Sequence, residues 1–387
     1  MPFNVPRHPC HRATWDVFCR VVDNHGDVGV CWRLATDLAE RGIAVRLWID
    51  DAHALTWMAP GGWPGVEVRA WPVADEAFAI ADVEPAAVVI EAFGCGLPDP
   101  CLRRIALAHQ RSAAPVWINL EYLSAEPYVE RNHGLPSLQG SGLARGLTSW
   151  YFYPGFTEGT GGLLREADLL QRQAAFDPEA WLAQHHITPL PGERLVSLFC
   201  YANPNVPELL QALGARPTLL LTTPGHATDQ VAQALARSGG HPNLRVQALP
   251  WLTQIDYDHL LWSCDLNLVR GEDSLVRAIW AGRPFLWQIY PQDDGVHSAK
   301  LAAFLAKALQ AADPAMADSI RRAAFRWNNL SETNDPDAWG RLHSPSSMSA
   351  WARVCTDWRT ELLAQPDLVT QLMAFANAKS SHPQAKI

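Results

Sequence analysis

A chain of 387 residues is long for one hydrophobic core and comfortable for two, and at 48% hydrophobic and 18% charged residues it is too apolar for disorder. A formal net charge of −9 without a basic cluster, Arg321-Arg322 being too small to count, argues against nucleic acid as a partner. No apolar run reaches the roughly 20 residues of a membrane helix, so no membrane partner is expected either.

The first 14 residues carry Pro, His and Arg but no apolar stretch, and read as a flexible leader rather than a signal peptide. Residues 15–22 form a β-rich run that ends in Asp-Asn-His-Gly-Asp, and 28–41 then have helical spacing through Val30, Leu34 and Leu38. Further strands are predicted at 44–49, 87–90 and 116–120, with a helix over 101–111. Strand, loop, helix, strand at this spacing predicts βαβ units and a parallel sheet. Residues 121–162, rich in Gly, Ser, Pro and aromatics, read as a long functional or mobile loop.

A second alternation starts near Arg194, with strands at 195–199, 218–222, 244–248, 266–269 and 284–287. The helices between them are predicted at 204–213, 228–238, 257–263 and 274–281. The fold class is therefore α/β, two Rossmann-like doubly wound domains facing across a cleft. The leader spans 1–14, the N-terminal domain 15–180 and the C-terminal domain 190–345, with the hinge between Asp177 and Glu193. Helices over 346–387 have no strands to pair with and are expected to pack back on the N-terminal domain. The 17 Trp, scattered from Trp15 to Trp358, fit core and cleft filling, and eight cysteines without a CxxC pair fit free thiols in a reducing cytoplasm. Ligands of such sheets bind beyond the carboxyl ends of the strands, so chemistry is sought in the loops there.

The first such loop is Asp23-Asn24-His25-Gly26-Asp27-Val28-Gly29. It stands where a dinucleotide fingerprint would, but it lacks the G-x-G-x-x-G spacing, and two carboxylates there would repel a pyrophosphate. One Asp suffices to cap the helix. Two acids four positions apart around a glycine turn point instead to catalysis or to a cationic ligand. The second loop, Arg270-Gly271-Glu272-Asp273-Ser274, combines a guanidinium, a glycine and a helix N-terminus, the elements of a diphosphate site. An Asp/Ser cap accounts for Asp273 and Ser274 but not for their pairing with Arg270. The third set, Phe199, Tyr201, Gln254, Trp287, Gln288, Tyr290 and Gln292, offers aromatics and amides suited to a flat uncharged base, although Phe199 and Trp287 also alternate as core residues would. Asp256-Tyr257-Asp258 imitates a metal-binding D-x-D but opens a helix, where acids are favoured by the dipole, so it reads as structural. His8, Cys10 and His11 lie in the leader without a fourth ligand, and no metal site is expected from them.

Segments 15–19, 21–30, 32–35, 120–126, 199–201, 270–274 and 284–292 together resemble the bacterial protein-arginine rhamnosyltransferases that modify translation elongation factor P, the EarP type. The likeness runs through nearly the whole chain after the leader. It implies a GT-B fold, dTDP-β-L-rhamnose as donor, no metal, and inversion to α-rhamnosyl-arginine on the factor's N-terminal domain. That modification would activate the factor for rescue of polyproline-stalled ribosomes. By the same resemblance Asp23 is the catalytic carboxylate and Asp27 its neighbour in acceptor handling. Arg270, Glu272, Asp273, Ser274, Phe199, Tyr201 and Gln254 would line the donor pocket, with Gln288 and Tyr290 joining them. The family often has Tyr or Phe at the position of His25.

The residues suit that chemistry. A guanidinium stays protonated and is no nucleophile until its charge is localised or a proton is lost. Asp23 is expected to act as base, while Asp27 and Glu272 clamp the guanidinium, one acid from each domain. Two other readings share the fold: a transferase with a lipid or glycan acceptor, which would call for a basic or apolar patch where this chain places acids, and a sugar-nucleotide-binding regulator without activity.

Overall fold

The computed structural model describes residues 13–23, 25–71, 85–111, 113–291, 296–330, 338–340 and 344–381. The leader with His8, Cys10 and His11, as well as Asn24 and Gln292, lies outside the described residues.

The N-terminal sheet is built from β1 (Thr14–Cys19), β2 (Ala44–Ile49), β3 (Val66–Ala70), β4 (Val88–Ala92), β5 (Val116–Leu120), β6 (Pro136–Leu138) and β7 (Thr148–Phe152). Their order is β3-β2-β1-β4-β5-β7-β6, parallel throughout except that β6 runs antiparallel to β7. The C-terminal sheet contains β8 (Arg194–Leu198), β9 (Thr218–Thr222), β10 (Leu244–Ala248), β11 (Leu266–Arg270) and β12 (Phe285–Gln288), all parallel, in the order β10-β9-β8-β11-β12. Central strands are apolar on both faces because helices cover both: β9 reads Thr-Leu-Leu-Leu-Thr and is buried throughout.

The helices are α1 (Gly26–Glu40), α2 (Leu55–Met58), α3 (Asp99–Gln110), α4 (Pro127–Asn132), α5 (Leu169–Ala175), α6 (Pro178–Gln184), α7 (Val206–Leu213), α8 (His226–Ser238), α9 (Gln254–Ser263), α10 (Gly271–Ala281), α11 (Val296–Ala308), α12 (Pro314–Trp327), α13 (Pro345–Leu363) and α14 (Leu368–Ser380). Each sheet is wound the same way. The chain leaves β1 outward to β2 and β3, then returns to β4 on the other flank; it leaves β8 outward to β9 and β10, then returns to β11. The two switch points thus lie beyond β1/β4 and β8/β11, where doubly wound sheets bind ligands.

Four readings need correction. Residues 121–162 are not one loop: β6, β7 and the short helix α4 lie within them, and β7 extends the sheet beside β5. The sequence hid them because β6 is only three residues long and edge-bound, and the five residues of β7 do not alternate cleanly in burial. Strand β3 was also missed, since Glu67 and Arg69 break an apolar run on a half-exposed edge strand. The C-terminal helices divide between the domains. Trp351, Cys355, Trp358 and Leu362 of α13 join the C-terminal core, whereas Leu368, Val369, Leu372 and Ala376 of α14 join the N-terminal one. The segment read as the hinge is fastened down as well. Asp177 caps α6, and Trp181, Leu182 and Ile187 pack with Leu195, Leu219, Leu221 and Leu260 of the C-terminal domain.

Cys19, Cys31, Cys95, Cys101, Cys200, Cys264 and Cys355 are free thiols. No helix among the described residues is long and apolar enough to cross a membrane. Because α14 straps the N-terminal core from the far end of the chain, Leu372→Ala, at a fully buried position, should lower stability by about 2–5 kcal/mol in denaturant titration.

Candidate active site

The two switch points face each other, and Asp23 stands between them. Asp27, in the first turn of α1, turns its Oδ2 back to accept the N–H groups of Val22 (2.8 Å) and Asp23 (2.9 Å), while the Gly26 N–H donates to the Asp23 carbonyl at 2.7 Å. The four-residue spacing of the two acids therefore has a structural use: one carboxylate shapes the loop that presents the other. From the opposite domain the Tyr201 hydroxyl donates to Asp23 Oδ2 at 2.5 Å, and Asp23 Oδ1 is buried with no hydrogen-bond partner. The glycines of both motifs are required by this carboxylate. A Cβ on Gly26 would lie 2.5 Å from Asp23 Oδ2, and one on Gly271, itself at φ 65°, would lie 2.9 Å from the same oxygen.

Asp23 and Gly26 form the wall between two cavities. The first, of about 650 Å³, is lined by Phe199, Thr223, Trp251, Gln254, Arg270 and Ser274 with Trp57 and His25 from the N-terminal domain. Here the Arg270 guanidinium lies 4.5 Å from the Phe199 ring centre and 4.2 Å from that of Tyr201, and no carboxylate among the described residues pairs with it. At the mouth, Trp57 and Trp251 meet across the domain gap with ring centres 4.4 Å apart, and His25 stands edge-on to both. The second cavity, of about 760 Å³, is acidic. Asp23, Asp27 and Glu272 face into it among Phe93, Tyr122, Tyr290 and Lys300. Burial pushes the Asp27 carboxyl up to about 6, although the two N–H groups it accepts and its acidic neighbours Asp23 and Glu272 also act on it. Burial, then the charge of Asp23, pushes the Tyr201 phenol well above its ordinary value, so it remains a donor.

The floor of the first cavity, lined there by Arg33 and Asp273, is a buried ion cluster. Arg33 of α1 reaches Glu166 (3.2 Å), Asp258 (3.0 Å) and Asp273 (2.9 Å). Arg277 of α10 reaches Glu166 (2.8 Å) and Asp258 (2.6 Å), and Arg172 lies 3.7 Å and 3.8 Å from the same two acids. Burial alone would raise the Glu166 carboxyl, but Arg277 and Arg33 outweigh it and hold it far below the usual carboxylate range. The Gln254 side chain adds a bond to the Gly29 carbonyl at 3.0 Å, so α1 is clasped to the C-terminal domain along its first two turns.

Phe199, Gln254, Arg270, Asp273 and Ser274 thus gather around the first cavity, but with different tasks, while Tyr201 lines neither cavity and reaches the site through Asp23 and the Arg270 guanidinium. Asp273 and Gln254 are bound to α1, and Ser274 accepts the Arg270 N–H and donates to its carbonyl, closing the turn into α10. Gln288 lines neither cavity. Its Oε1 accepts the Tyr201 N–H at 2.8 Å, so it supports Tyr201 from behind. Tyr290 lines the acidic cavity, because the chain after β12 crosses to that side. Glu272 is committed as well, accepting the Leu123 N–H (2.8 Å) and the Lys300 ammonium (2.9 Å). Asp256 accepts from Thr253 and Trp181 at the start of α9, and Asp258 belongs to the ion cluster. Sequence reasoning missed Arg33, Glu166, Arg277, Trp57, Trp251, Phe93 and Lys300. Of these, Phe93, a non-glycine at φ 59° in the loop after β4, and Trp251, in the loop after β10, sit where a strand-end search would have looked. Among the described residues no group of three His, Cys, Asp or Glu is placed to hold a metal ion.

Two facing Rossmann-like domains, with the site on the opposed strand ends, make this a glycosyltransferase of the GT-B class. A glycosyltransferase from Rickettsia africae shares the fold over 97% of this chain and 100% of its own at 9% identity (TM-score 0.53). Residues 15–377 match the family described as "Elongation-Factor P (EF-P) rhamnosyltransferase EarP", and the chain belongs to that family. It is 44% identical to the protein-arginine rhamnosyltransferase of Pseudomonas aeruginosa, covering 94% of this chain and 98% of that one. It is 35% identical to the enzyme of the same name from Neisseria meningitidis serogroup B, over 97% and 98%. The structure described as the basis for EarP-mediated arginine glycosylation of translation elongation factor EF-P aligns with 95% of this chain and 99% of its own, at 32% identity and a TM-score of 0.63.

Arg277→Met would leave Asp258 and Glu166 short of a counter-charge in a buried setting, and should destabilise the fold by about 3–5 kcal/mol in thermal or denaturant unfolding. Glu166 is held below its ordinary value, so its contribution to stability is present above the unfolded value of 4.5 and is lost as pH falls toward the folded one. The wild type should therefore lose stability on acidification more steeply than Glu166→Gln.

Proposed function

We propose that this protein-arginine rhamnosyltransferase carries L-rhamnose from dTDP-β-L-rhamnose to an arginine of EF-P, in the cytoplasm and without a metal ion, inverting the anomeric centre. The observation that carries the reading is the position of Asp23 in the wall between a cavity whose guanidinium pairs with no carboxylate among the described residues and a cavity lined by acids. The names of the relatives and of the aligned structure support the sugar, the arginine and the partner.

The donor belongs in the first cavity. Thr223, Trp251 and Leu252 offer a largely apolar recess for a base, and Arg270 with the N-terminus of α10 faces the diphosphate. Glu272 and Asp273 lie in the first turn of that helix and would weaken its pull on an anion, but Lys300 and Arg33 offset them. The acceptor guanidinium enters the second cavity, where Asp23 and Asp27 hold its N–H groups. A guanidinium nitrogen attacks C1 of the sugar as the bond from C1 to the phosphate oxygen breaks, and that electron pair leaves with dTDP. The proton from the nitrogen passes to Asp23 Oδ1, the oxygen with no other partner. Arg270 stabilises the departing diphosphate and supplies positive charge at the leaving group. Attack from one cavity and departure into the other, on opposite sides of the Asp23 wall, is the geometry of inversion.

Two experiments test this. Asp23→Asn keeps the acceptor of the Tyr201 bond but removes the base, so transfer to EF-P should fall by about 10²–10⁴-fold while dTDP-rhamnose still binds. Intact-mass analysis of EF-P gives the readout: one added deoxyhexose on a single arginine with the wild type, none with the variant over the same interval. Full turnover by the variant would remove Asp23 from the role of base. The second experiment is a pH profile. Asp27 is neutral below about 6 and charged above it, so kcat/KM for EF-P should rise through that value. Asp27→Asn can still accept the Val22 and Asp23 N–H groups, and should lose this acidic limb.

A further inference from the structure

The acidic cavity receives charge from several elements. Asp23 enters from the loop after β1, Asp27 from α1 and Glu272 from α10, while Tyr122 and Tyr290 present phenols and Tyr201 holds Asp23 from the other side. Against these acids the described residues lining the cavity offer one basic side chain, Lys300 of α11. Its ammonium lies 2.9 Å from Glu272 Oε1 and 5.8 Å from the Tyr122 ring centre, with the side chain 19% exposed. The other oxygen of Glu272 accepts the Leu123 N–H, so both oxygens of that carboxylate are engaged before any substrate arrives.

We propose that Lys300 is a positioning residue for the acceptor arginine that acts through Glu272: it ties that carboxylate down and offsets its charge, so that the guanidinium is directed to Asp23 and Asp27. An ammonium and a guanidinium repel each other, so while Lys300 holds Glu272 the incoming cation is steered away from it. Three like charges around one cavity also disfavour each other's ionisation. Asp23 and Glu272 both act on Asp27 in that sense, and a cation on Glu272 relieves it. Glu272 then serves as an anchor between α10, the Leu123 loop and α11 rather than as a hand on the substrate.

This rests on the arginine-acceptor reading above, and its test separates the two. Full-length wild type, Lys300→Met and Lys300→Arg are compared with dTDP-rhamnose and EF-P across pH, and the Asp27 carboxyl is followed separately by ¹³C NMR titration without substrates. In Lys300→Met both the acidic limb of kcat/KM for EF-P and the Asp27 midpoint should move up by at least about half a pH unit. Lys300→Arg keeps the charge and should return both to wild-type values. Superimposable limbs and midpoints in wild type and Lys300→Met would overturn the proposal, as would an equal displacement in Lys300→Arg. A wild type that transfers nothing to EF-P would overturn the acceptor reading instead, and the Asp27 midpoint would still decide what Lys300 does to the cavity's charge.

Discussion

The cluster of Arg33, Arg172 and Arg277 with Glu166, Asp258 and Asp273 is the constraint on which the site depends. Three cations and three anions cancel, which is what allows so many ionised groups to lie out of water at the domain boundary. The cluster does not compete with hydrophobic packing as a source of stability. Its value is geometric: Arg33 belongs to α1, Arg277 and Asp273 to α10, and a bidentate guanidinium fixes both distance and orientation. With α1 held against α10 at this point, the two helix N-termini are brought to the same spot, and Asp23 has a defined neighbour in Tyr201.

From that floor the cleft acquires two unlike walls. An acidic chain could have spread its carboxylates evenly, but around this site their partners sort them. Asp273 is taken up by Arg33 and Glu272 by Lys300, which leaves Arg270 free of any described carboxylate on one side and leaves Asp23 and Asp27 to face the other. A sugar nucleotide and an arginine carry opposite charges, so each is favoured by one cavity and disfavoured by the other. The difference in charge between the two cavities thus comes from where the internal ion pairs are spent, more than from the overall charge of the chain.

Much of the fold was legible because buried parallel strands read as apolar runs and their helices as amphipathic ones; the C-terminal sheet, with β9 wholly buried, was read strand by strand. What failed were the edge strands β3 and β6 and the neighbouring β7, whose half-exposed sequences mix polar residues into the pattern. In the site, Asp23, Asp27 and Arg270 were visible since loops after strands are few and their chemistry is local. Residues whose meaning is a partner far away in sequence were not. Nothing around Arg33 distinguishes it from a helix-surface arginine until Asp258, 225 positions later, is seen beside it. Tyr290 and Gln288 show the same limit on a smaller scale: they stand two residues apart at a strand end, yet one lines the acidic cavity and the other supports Tyr201.

The glycines complete the argument about Asp23. A carboxylate that lines both cavities has to sit where the two domains meet, and there any side chain on its neighbours would occupy its place. Gly26 answers this from the N-terminal side and Gly271 from the C-terminal side, each leaving room for the same Oδ2 atom. Gly271 also takes the positive φ that turns β11 directly into α10, so one residue both vacates the space and aims the helix. The motif Asp-Asn-His-Gly-Asp in one domain and the motif Arg-Gly-Glu-Asp-Ser in the other are therefore two halves of one mould, and the atom they are moulded around is the Asp23 carboxylate.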